Sequence, residues 1–284
     1  MKVWLSYVWY PVTLVTAVWT YFHLLSLGSE PVAAAYVPVV LSGIMIVVLE
    51  WFFPARSDWR PKKSDVIADA AFLGLVQIAV ARLLGLIGVL YVAAWANQHL
   101  TDMPWPRDWP LLAQILFMVL IVDLMRYWLH RAAHKYMFLW RLHEVHHSPD
   151  ILYTLNVGRF HPFEKVLQFC LDTIPFLLLG VAPEVLAGYF VFYSVNGFFQ
   201  HSNLELRYGW LNYIVGSAET HRWHHARDPE TAYCNFGNTT IIYDLLFGTW
   251  KLPSPVDDIG IPDRTYPKGF WAQMISPFRR RNDT

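Results

Sequence analysis

Histidines are concentrated in one part of this chain, and their spacing is typical of metal ligands. Ten of the twelve histidines lie between His130 and His225, and eight of these belong to three short motifs, HRAAH, HEVHH and HRWHH. Residues three or four apart lie on the same face of a helix, so each motif would direct its imidazoles into one space. Neutral imidazole binds iron, zinc, copper and nickel. The eight candidate ligands are His130, His134, His143, His146, His147, His221, His224 and His225.

The number of candidate ligands predicts more than one metal ion. A zinc ion takes about three or four protein ligands, fewer than the histidines available in this region. Two ions are therefore the simplest interpretation. A haem would use only its axial histidines and would leave most of the set without a role.

The motif HEVHH also fits the HExxH pattern of zinc metalloproteases, in which two histidines bind zinc and the glutamate is the general base. Here those residues would be His143, Glu144 and His147. This alternative leaves most of the histidines unexplained, and the chain has no Asp-Gly pair to supply the third ligand expected of an intramembrane protease. A membrane protein that binds metal without catalysis is a further alternative.

The elements that carry these motifs are predicted to be membrane helices. Hydrophobic residues make up 55% of the chain and charged residues 15%, against about 25% charged residues in soluble domains. Apolar segments, some long enough to cross a bilayer, occupy residues 9–27, 32–49, 66–96, 111–122, 166–181 and 185–199. The predicted fold is all-α: an integral membrane helical bundle of about four spanning helices plus a short or re-entrant hairpin, with a cytoplasmic helical cap that carries the histidine motifs.

This pattern divides the chain into three regions. We expect N-terminal transmembrane helices at 1–125, a histidine-rich catalytic region at 126–250 with the membrane hairpin at 166–199, and a C-terminal cytoplasmic tail at 251–284. The cysteines, Cys170 and Cys234, form no CxxC motif, so neither a disulfide scaffold nor a thiolate metal site is expected.

Positive charge predicts the orientation of a multi-pass membrane protein. Lysine and arginine favour the cytoplasmic side, and a basic loop between the second and third apolar segments contains Arg56, Arg60, Lys62 and Lys63. We therefore expect the histidine motifs on the cytoplasmic face, the same side as Arg279, Arg280 and Arg281. The formal net charge is zero, which gives no reason to expect a nucleic-acid partner.

Several segments beyond the histidines resemble one family. They are HRAAHKYMFLWRLHEVHHSPD at 130–150, RFHPFE at 159–164, QHSN at 200–203, HRWHHARD at 221–228, NFG at 235–237 and YDLLFGTW at 243–250. In this order they resemble the histidine boxes and closing motifs of the fatty acid hydroxylase and sterol desaturase superfamily of non-haem di-iron membrane oxygenases. The resemblance covers about residues 123–250, whereas the N-terminal helices match only in general character.

The resemblance implies two iron ions held by the eight histidines of the motifs, with His161 and His201 as additional ligands. Overexpressed histidine-rich sites also take up zinc, which can replace iron in preparations. Groups behind the ligands normally orient the imidazoles. The candidates for this role are Asp123, Glu164 and Asp244.

The resemblance also implies the reaction: dioxygen and two electrons would be used to hydroxylate a C–H bond of a membrane lipid, whether fatty acyl, sterol or related. Desaturation of a lipid, sterol or carotenoid at the same site is the alternative. Some relatives carry a fused cytochrome b5 domain, and this chain shows none. We therefore expect an external electron donor of the cytochrome b5, ferredoxin or reductase type.

Overall fold

Helices make up the ordered elements of the fold. The computed structural model describes residues 3–100, 104–256 and 258–279, and within these ranges it contains helices and loops but no β-strand. The β-type pairing in these ranges is limited to isolated bridges, such as that between Pro54 and Leu204. The predicted all-α class is therefore confirmed.

Two helices, α1 (Val3–Ser26) and α2 (Pro31–Phe52), pack against each other at the N-terminal end. Proline is favoured at the first position of a helix because its missing N–H is not needed there. The Glu30 side chain caps α2 by accepting from the N–H of Ala33 at 3.0 Å. In the last turn of α2, Glu50 accepts from the backbone N–H groups of Thr154, at 2.9 Å, and Asn203, at 2.6 Å. These two bonds tie the end of α2 to the histidine-rich region.

The third long helix, α3, runs from Lys63 to Ala96. It contains two π-helical segments, Phe72–Val80 and Gly88–Ala93. Asp69 is fully buried in this apolar helix, where its carboxylate accepts from Arg159 Nε at 2.6 Å and from the Tyr153 hydroxyl. Because the charge is paired, it is tolerated inside an apolar helix. The pairing anchors α3 to residues 153–159, which lie between the second and third histidine motifs.

The first two histidine motifs lie on consecutive helices, α4 (Leu111–Lys135) and α5 (Met137–His147). Tyr136, with φ −106° and ψ 120°, breaks the helical path between them. HRAAH therefore stands in the last turns of α4, and HEVHH forms the end of α5.

The remaining helices are shorter. They are α6 (Pro162–Asp172), α7 (Ile174–Leu178), α8 (Pro183–His201), α9 (Ala218–His224), α10 (Pro229–Ala232), α11 (Ile242–Leu246) and α12 (Phe270–Ile275). Turns of 3-10 helix occur at Thr154–Gly158, Gly209–Tyr213 and Ser276–Phe278. The helix α8 is central, because it packs on α1, α2, α4 and α9.

Three helices are long and apolar enough to cross a membrane: α2, α3 and α4. The sequence predicted about four spans and a hairpin. The helix α1, although 24 residues long, is not among the three. The segment 166–199 consists of the end of α6, then α7 and α8, with helix breaks at Thr173 and before Pro183. The total number of spans and the re-entrant hairpin remain predictions.

Part of the region after residue 251, which was expected to be a surface tail, packs against the rest of the protein. Phe270 and Met274 pack on a small core formed by Phe72, Val76 and Val145. Gln273 is fully buried and donates to the Ser148 hydroxyl at 2.9 Å. The segment therefore covers α3 and α5 as far as Arg279, while Arg280 and Arg281 lie outside the described residues.

The contact between α8 and α4 depends on a glycine. A Cβ atom at Gly188 would lie 2.3 Å from Ile115 Cδ1 and 3.2 Å from Tyr21 Cε1. Ile115 and Tyr21 are both fully buried, so neither side chain has room to move.

We expect Gly188→Ala to destabilise the protein by about 1–3 kcal/mol, because overpacking a filled core forces side chains out of their preferred rotamers. The measurement is the thermal unfolding midpoint of purified protein in detergent. Gly85→Ala is the matched control, since a Cβ there has no neighbouring atom within 4 Å. Equal midpoints for the two variants would contradict the close approach of α4 and α8.

Candidate metal centre

Nine histidines converge in two groups at the end of the helix bundle. The first group contains His130, His134, His143, His147 and His224, and the second contains His146, His201, His221 and His225. Within each group the candidate ligand atoms lie within 4.8 Å of one another. Seven of the nine residues are buried, whereas His130 and His134 are half-buried.

The two motifs of the type His-x-x-His-His are each divided between the groups. On α5, His143 and His147 join the first group and His146 joins the second. At α9 the division is reversed, because His221 and His225 join the second group and His224 joins the first. Residues at i and i+4 share a face, while the intervening residue at i+3 is rotated enough to meet the other group. The two helices therefore lie between the groups and contribute to both.

The Nε2 atoms of the rings face one another at hydrogen-bonding distance. In the first group the close pairs are His130–His143 at 3.0 Å, His143–His147 at 3.2 Å, His134–His147 at 3.2 Å and His147–His224 at 3.0 Å. In the second group they are His201–His221 and His221–His225, both at 3.0 Å.

The outer nitrogens fix the tautomers of several rings. His130 Nδ1 lies 2.9 Å from the Phe236 carbonyl, and His224 Nδ1 lies 2.8 Å from the Cys234 carbonyl. His143 Nδ1 lies 2.8 Å from Glu164 Oε1. These oxygens accept, so each Nδ1 must carry the hydrogen and each Nε2 must present a lone pair. Several lone pairs thus point at one another, an arrangement that a bound cation would stabilise.

Burial keeps these imidazoles neutral. It is the largest cause that lowers the pKa of His143, His147 and His225 well below the usual range, and the neighbouring histidines lower these pKa values further. Burial also lowers the pKa of His224 to about 4. Neutral imidazole is the form that binds a metal ion. The donor set fits a metal that prefers nitrogen ligands.

The loop at 234–241 holds the rings of the first group through its backbone. Asp244 accepts from the N–H groups of Phe236, at 2.8 Å, and Gly237, at 2.7 Å. Asp123 accepts from the N–H of Thr239 at 3.0 Å and from that of Thr240. A Cβ at Gly237 would lie 2.2 Å from the Thr240 carbonyl oxygen, so only glycine fits. Asp123 and Asp244 therefore act on His130 indirectly, because they fix the loop that carries the Phe236 carbonyl.

Glu164 is in direct contact with a ring, unlike the two aspartates. It lies in the first turn of α6, is buried, and bonds His143 Nδ1. Gln168, one turn later, donates to the same Glu164 Oε1 at 3.2 Å.

His161 is a correction to the expected ligand set, because the structure brings it to neither group. It is the N-cap of α6, where its Nδ1 accepts from the N–H of Phe163 at 3.2 Å, and its Nε2 lies 3.2 Å from the Met274 carbonyl. Nε2 must donate to that carbonyl, so both ring nitrogens are engaged and no lone pair remains for a metal.

Asn156 is a residue of the site that sequence reasoning missed. Its Oδ1 lies 2.8 Å from His201 Nδ1, and its Nδ2 donates to the Ile151 carbonyl at 2.7 Å. It sits in the 3-10 turn at Thr154–Gly158, outside every motif. The carbonyls of Cys234 and Phe236 were missed for a different reason, since a backbone acceptor leaves no trace in side-chain types.

The part of the chain that builds this site matches a known protein family. Residues 115–249 match the family model described as Fatty acid hydroxylase. The chain is 33% identical over 252 residues to the Ornithine lipid hydroxylase OlsE of Rhizobium tropici, covering 86% of this chain and 75% of that protein. The chain belongs to the fatty acid hydroxylase family, and it is an oxidoreductase. The family predicted from the histidine motifs is confirmed.

Other relatives extend the comparison. An Alkylglycerol monooxygenase of Danio rerio is 32% identical over 179 residues, covering 63% of this chain and 38% of that protein. A Very-long-chain aldehyde decarbonylase of Oryza sativa subsp. japonica is 26% identical over 160 residues, covering 53% of this chain and 50% of that protein. No solved structure matches the chain. None of these three relatives is named as a protease. In the structure, His143 and His147 belong to a group that includes three further histidines, more than the HExxH pattern requires.

The different positions of His161 and His201 predict different effects of the same substitution. We expect His201→Ala to lower the number of metal ions per chain, because it removes a member of the second group. His161→Ala should leave that number unchanged. Elemental analysis of the purified variants checks this prediction, and a loss of metal in His161→Ala would contradict the corrected ligand set.

We expect Glu164→Ala to weaken metal binding by about 10–100-fold, since it frees the ring of His143 to rotate. The measurement is metal retention during titration with a chelator. Glu184→Ala is the control, because Glu184 also stands in the first turn of a helix but contacts no histidine through its carboxylate in the described structure. Equal retention in the two variants would show that Glu164 does not orient His143.

Proposed function

We propose that this protein is a membrane di-iron oxygenase that hydroxylates a C–H bond of a lipid. The observation that carries the proposal is the pair of adjacent histidine groups, of five and four members, at the end of an apolar helix bundle. The relatives named as lipid hydroxylase and monooxygenase support the reaction class.

In this proposal each histidine group holds one iron ion. His130, His134, His143, His147 and His224 would bind one ion, and His146, His201, His221 and His225 would bind the other. When bound, the iron pair would supply the activation of dioxygen that an unreactive C–H bond requires. The contribution of the chain is to bury the rings, which keeps them neutral, and to orient His130, His143, His201 and His224 through the acceptors at their Nδ1 atoms.

A large apolar cavity beside the histidines supports a lipid substrate. Its volume is about 700 Å³, within the usual range for ligand sites. Five histidines of the two groups line it: His130, His143, His146, His201 and His221. Much of the rest of the lining consists of aliphatic side chains of α2, α3 and α8, such as Ile44, Ile78 and Leu186. A hydrocarbon chain fits such a lining, and the histidines would face what is bound.

The reaction consumes dioxygen and two electrons with two protons: one oxygen atom replaces the C–H hydrogen as a hydroxyl, and the other leaves as water. The electrons would come from an external donor of the cytochrome b5, ferredoxin or reductase type. Nothing in the charge balance supports a nucleic-acid partner.

We further propose that the site faces the cytoplasm. The basic loop between α2 and α3 touches the residues that directly follow His201: the N–H of Ala55 donates to the Asn203 carbonyl at 2.8 Å, and that of Arg56 donates to Asn203 Oδ1 at 3.0 Å. The loop and the histidines therefore lie at the same end of the bundle. Positively charged loops favour the cytoplasmic side, which supports this orientation.

The test begins with protein purified from iron-supplemented cells. We expect about two iron ions per chain, and fewer in His146→Ala, because that residue belongs to the second group. With a suitable electron donor and ¹⁸O₂, mass spectrometry should find a lipid product that contains one labelled oxygen.

Other results would contradict parts of the proposal. A product lighter by two hydrogens would identify a desaturase. A single zinc ion that survives loss of His146, in protein from iron-supplemented cells, would contradict the di-iron centre.

A further inference from the structure

A group of charged and phenolic side chains interrupts the apolar wall of the cavity. Arg126, Lys165, Asp172, Tyr189 and Tyr193 all line it. Arg126 stands on α4, Lys165 and Asp172 on α6, and the tyrosines on α8. Neither the metal groups nor the acceptors behind them include any of these five residues. We call this set the polar subsite.

The two cations of the polar subsite have more N–H donors than their described hydrogen bonds use. Arg126 and Lys165 are both buried, yet their described bonds are long: Arg126 Nη1 to Asp172 Oδ2 at 3.5 Å and Lys165 Nζ to Gln168 Oε1 at 3.4 Å. Both cations also lie over the ring of Tyr193, at 5.8 Å and 5.6 Å from its centroid. A guanidinium carries five N–H donors and an ammonium three, so most of this capacity is available to an anionic oxygen in the cavity.

Acceptors stand beside these donors. Asp172 Oδ1 and the Tyr189 hydroxyl have no hydrogen-bond partner among the described residues. Tyr189 is 6% exposed, so solvent does not satisfy its hydroxyl. Buried polar atoms without partners are costly, and they are expected where a ligand completes them. An ammonium or another N–H donor would satisfy both atoms.

The polar subsite is close to the histidines. Arg126 precedes His130 by four residues on α4, so the two side chains share a face about 6 Å apart along the helix. Lys165 is the next residue after Glu164, which bonds His143. A group bound between Arg126 and Lys165 would therefore lie about one helical turn from the first histidine group.

We propose that the polar subsite binds a zwitterionic lipid headgroup, with its anionic oxygens on Arg126 and Lys165 and its ammonium on Asp172 and Tyr189. The hydrocarbon chain occupies the aliphatic part of the cavity. In this arrangement the carbon that is oxidised belongs to the headgroup or lies within about five bonds of it, given a separation of about one turn. The position of oxidation rests on the proposed function, whereas headgroup binding does not.

The binding test uses full-length protein in detergent and four probes with the same C16 chain: an N-acyl lysine with free carboxylate and ammonium, a fatty acid, an alkylamine and a fatty alcohol. Native mass spectrometry gives their relative affinities. We expect the zwitterionic probe to bind most tightly. Lys165→Gln and Asp172→Asn should each weaken it by about 10–100-fold, the usual effect of losing a buried charged hydrogen bond, and should leave the fatty alcohol unchanged.

Two further variants guard against misfolding. Tyr189→Phe removes only an oxygen atom and should weaken the two probes that carry an ammonium, the zwitterionic lipid and the alkylamine. Tyr208→Phe changes a buried tyrosine that does not line the cavity and should have no effect. Equal affinities for all four probes, or an unchanged preference in Lys165→Gln and Asp172→Asn, would overturn the polar subsite.

The position of oxidation separates the two proposals. If the zwitterionic probe binds as expected but no labelled oxygen is incorporated, the polar subsite stands and the oxygenase fails. If uncharged lipids are hydroxylated far along the chain without any headgroup preference, the oxygenase stands and the polar subsite is overturned. Tandem mass spectrometry of the product locates the hydroxyl group.

Discussion

The structure depends on one constraint: nine imidazoles must point their lone pairs into two small spaces, away from water. A neutral ring has one lone pair and one N–H, so a partner that accepts from the outer nitrogen orients the ring and fixes the direction of its lone pair. For His143 that partner is a carboxylate, and for His130 and His224 it is a backbone carbonyl. Glu164 is carried by α6, and the two carbonyls belong to the loop at 234–241, which Asp244 and Asp123 hold in place.

This requirement explains three of the acidic residues within the apolar helices. Glu50 on α2, Asp69 on α3 and Asp123 on α4 each accept from the segments that surround the histidines. A carboxylate inside a membrane helix is costly unless it is paired. Each of the three long helices thus carries one acid that joins the bundle to the region of the metal centre, which lies where α2 and α4 end and α3 begins.

The cavity combines two kinds of wall, and each has a different physical role. Aliphatic side chains of α2, α3 and α8 bind a hydrocarbon chain through nonspecific apolar contacts. They therefore provide affinity but distinguish little between one lipid and another. Charged groups discriminate more strongly, because a buried donor left without its partner costs free energy. The polar subsite therefore offers selectivity in a cavity that would otherwise accept most lipids.

The sequence alone predicted the all-helical class, the family and all nine grouped histidines as ligands. Eight of them follow from helical spacing and residue type, which are local properties, and His201 follows from the resemblance to the family. It also identified Glu164, whose motif places it near His161. Tertiary structure decided the rest. It split HEVHH and HRWHH between two groups, since that depends on how α5 and α9 cross. It also turned His161 into a helix cap, and it supplied Asn156 and two backbone carbonyls as acceptors. These contacts join residues distant in the chain, and no local pattern encodes them.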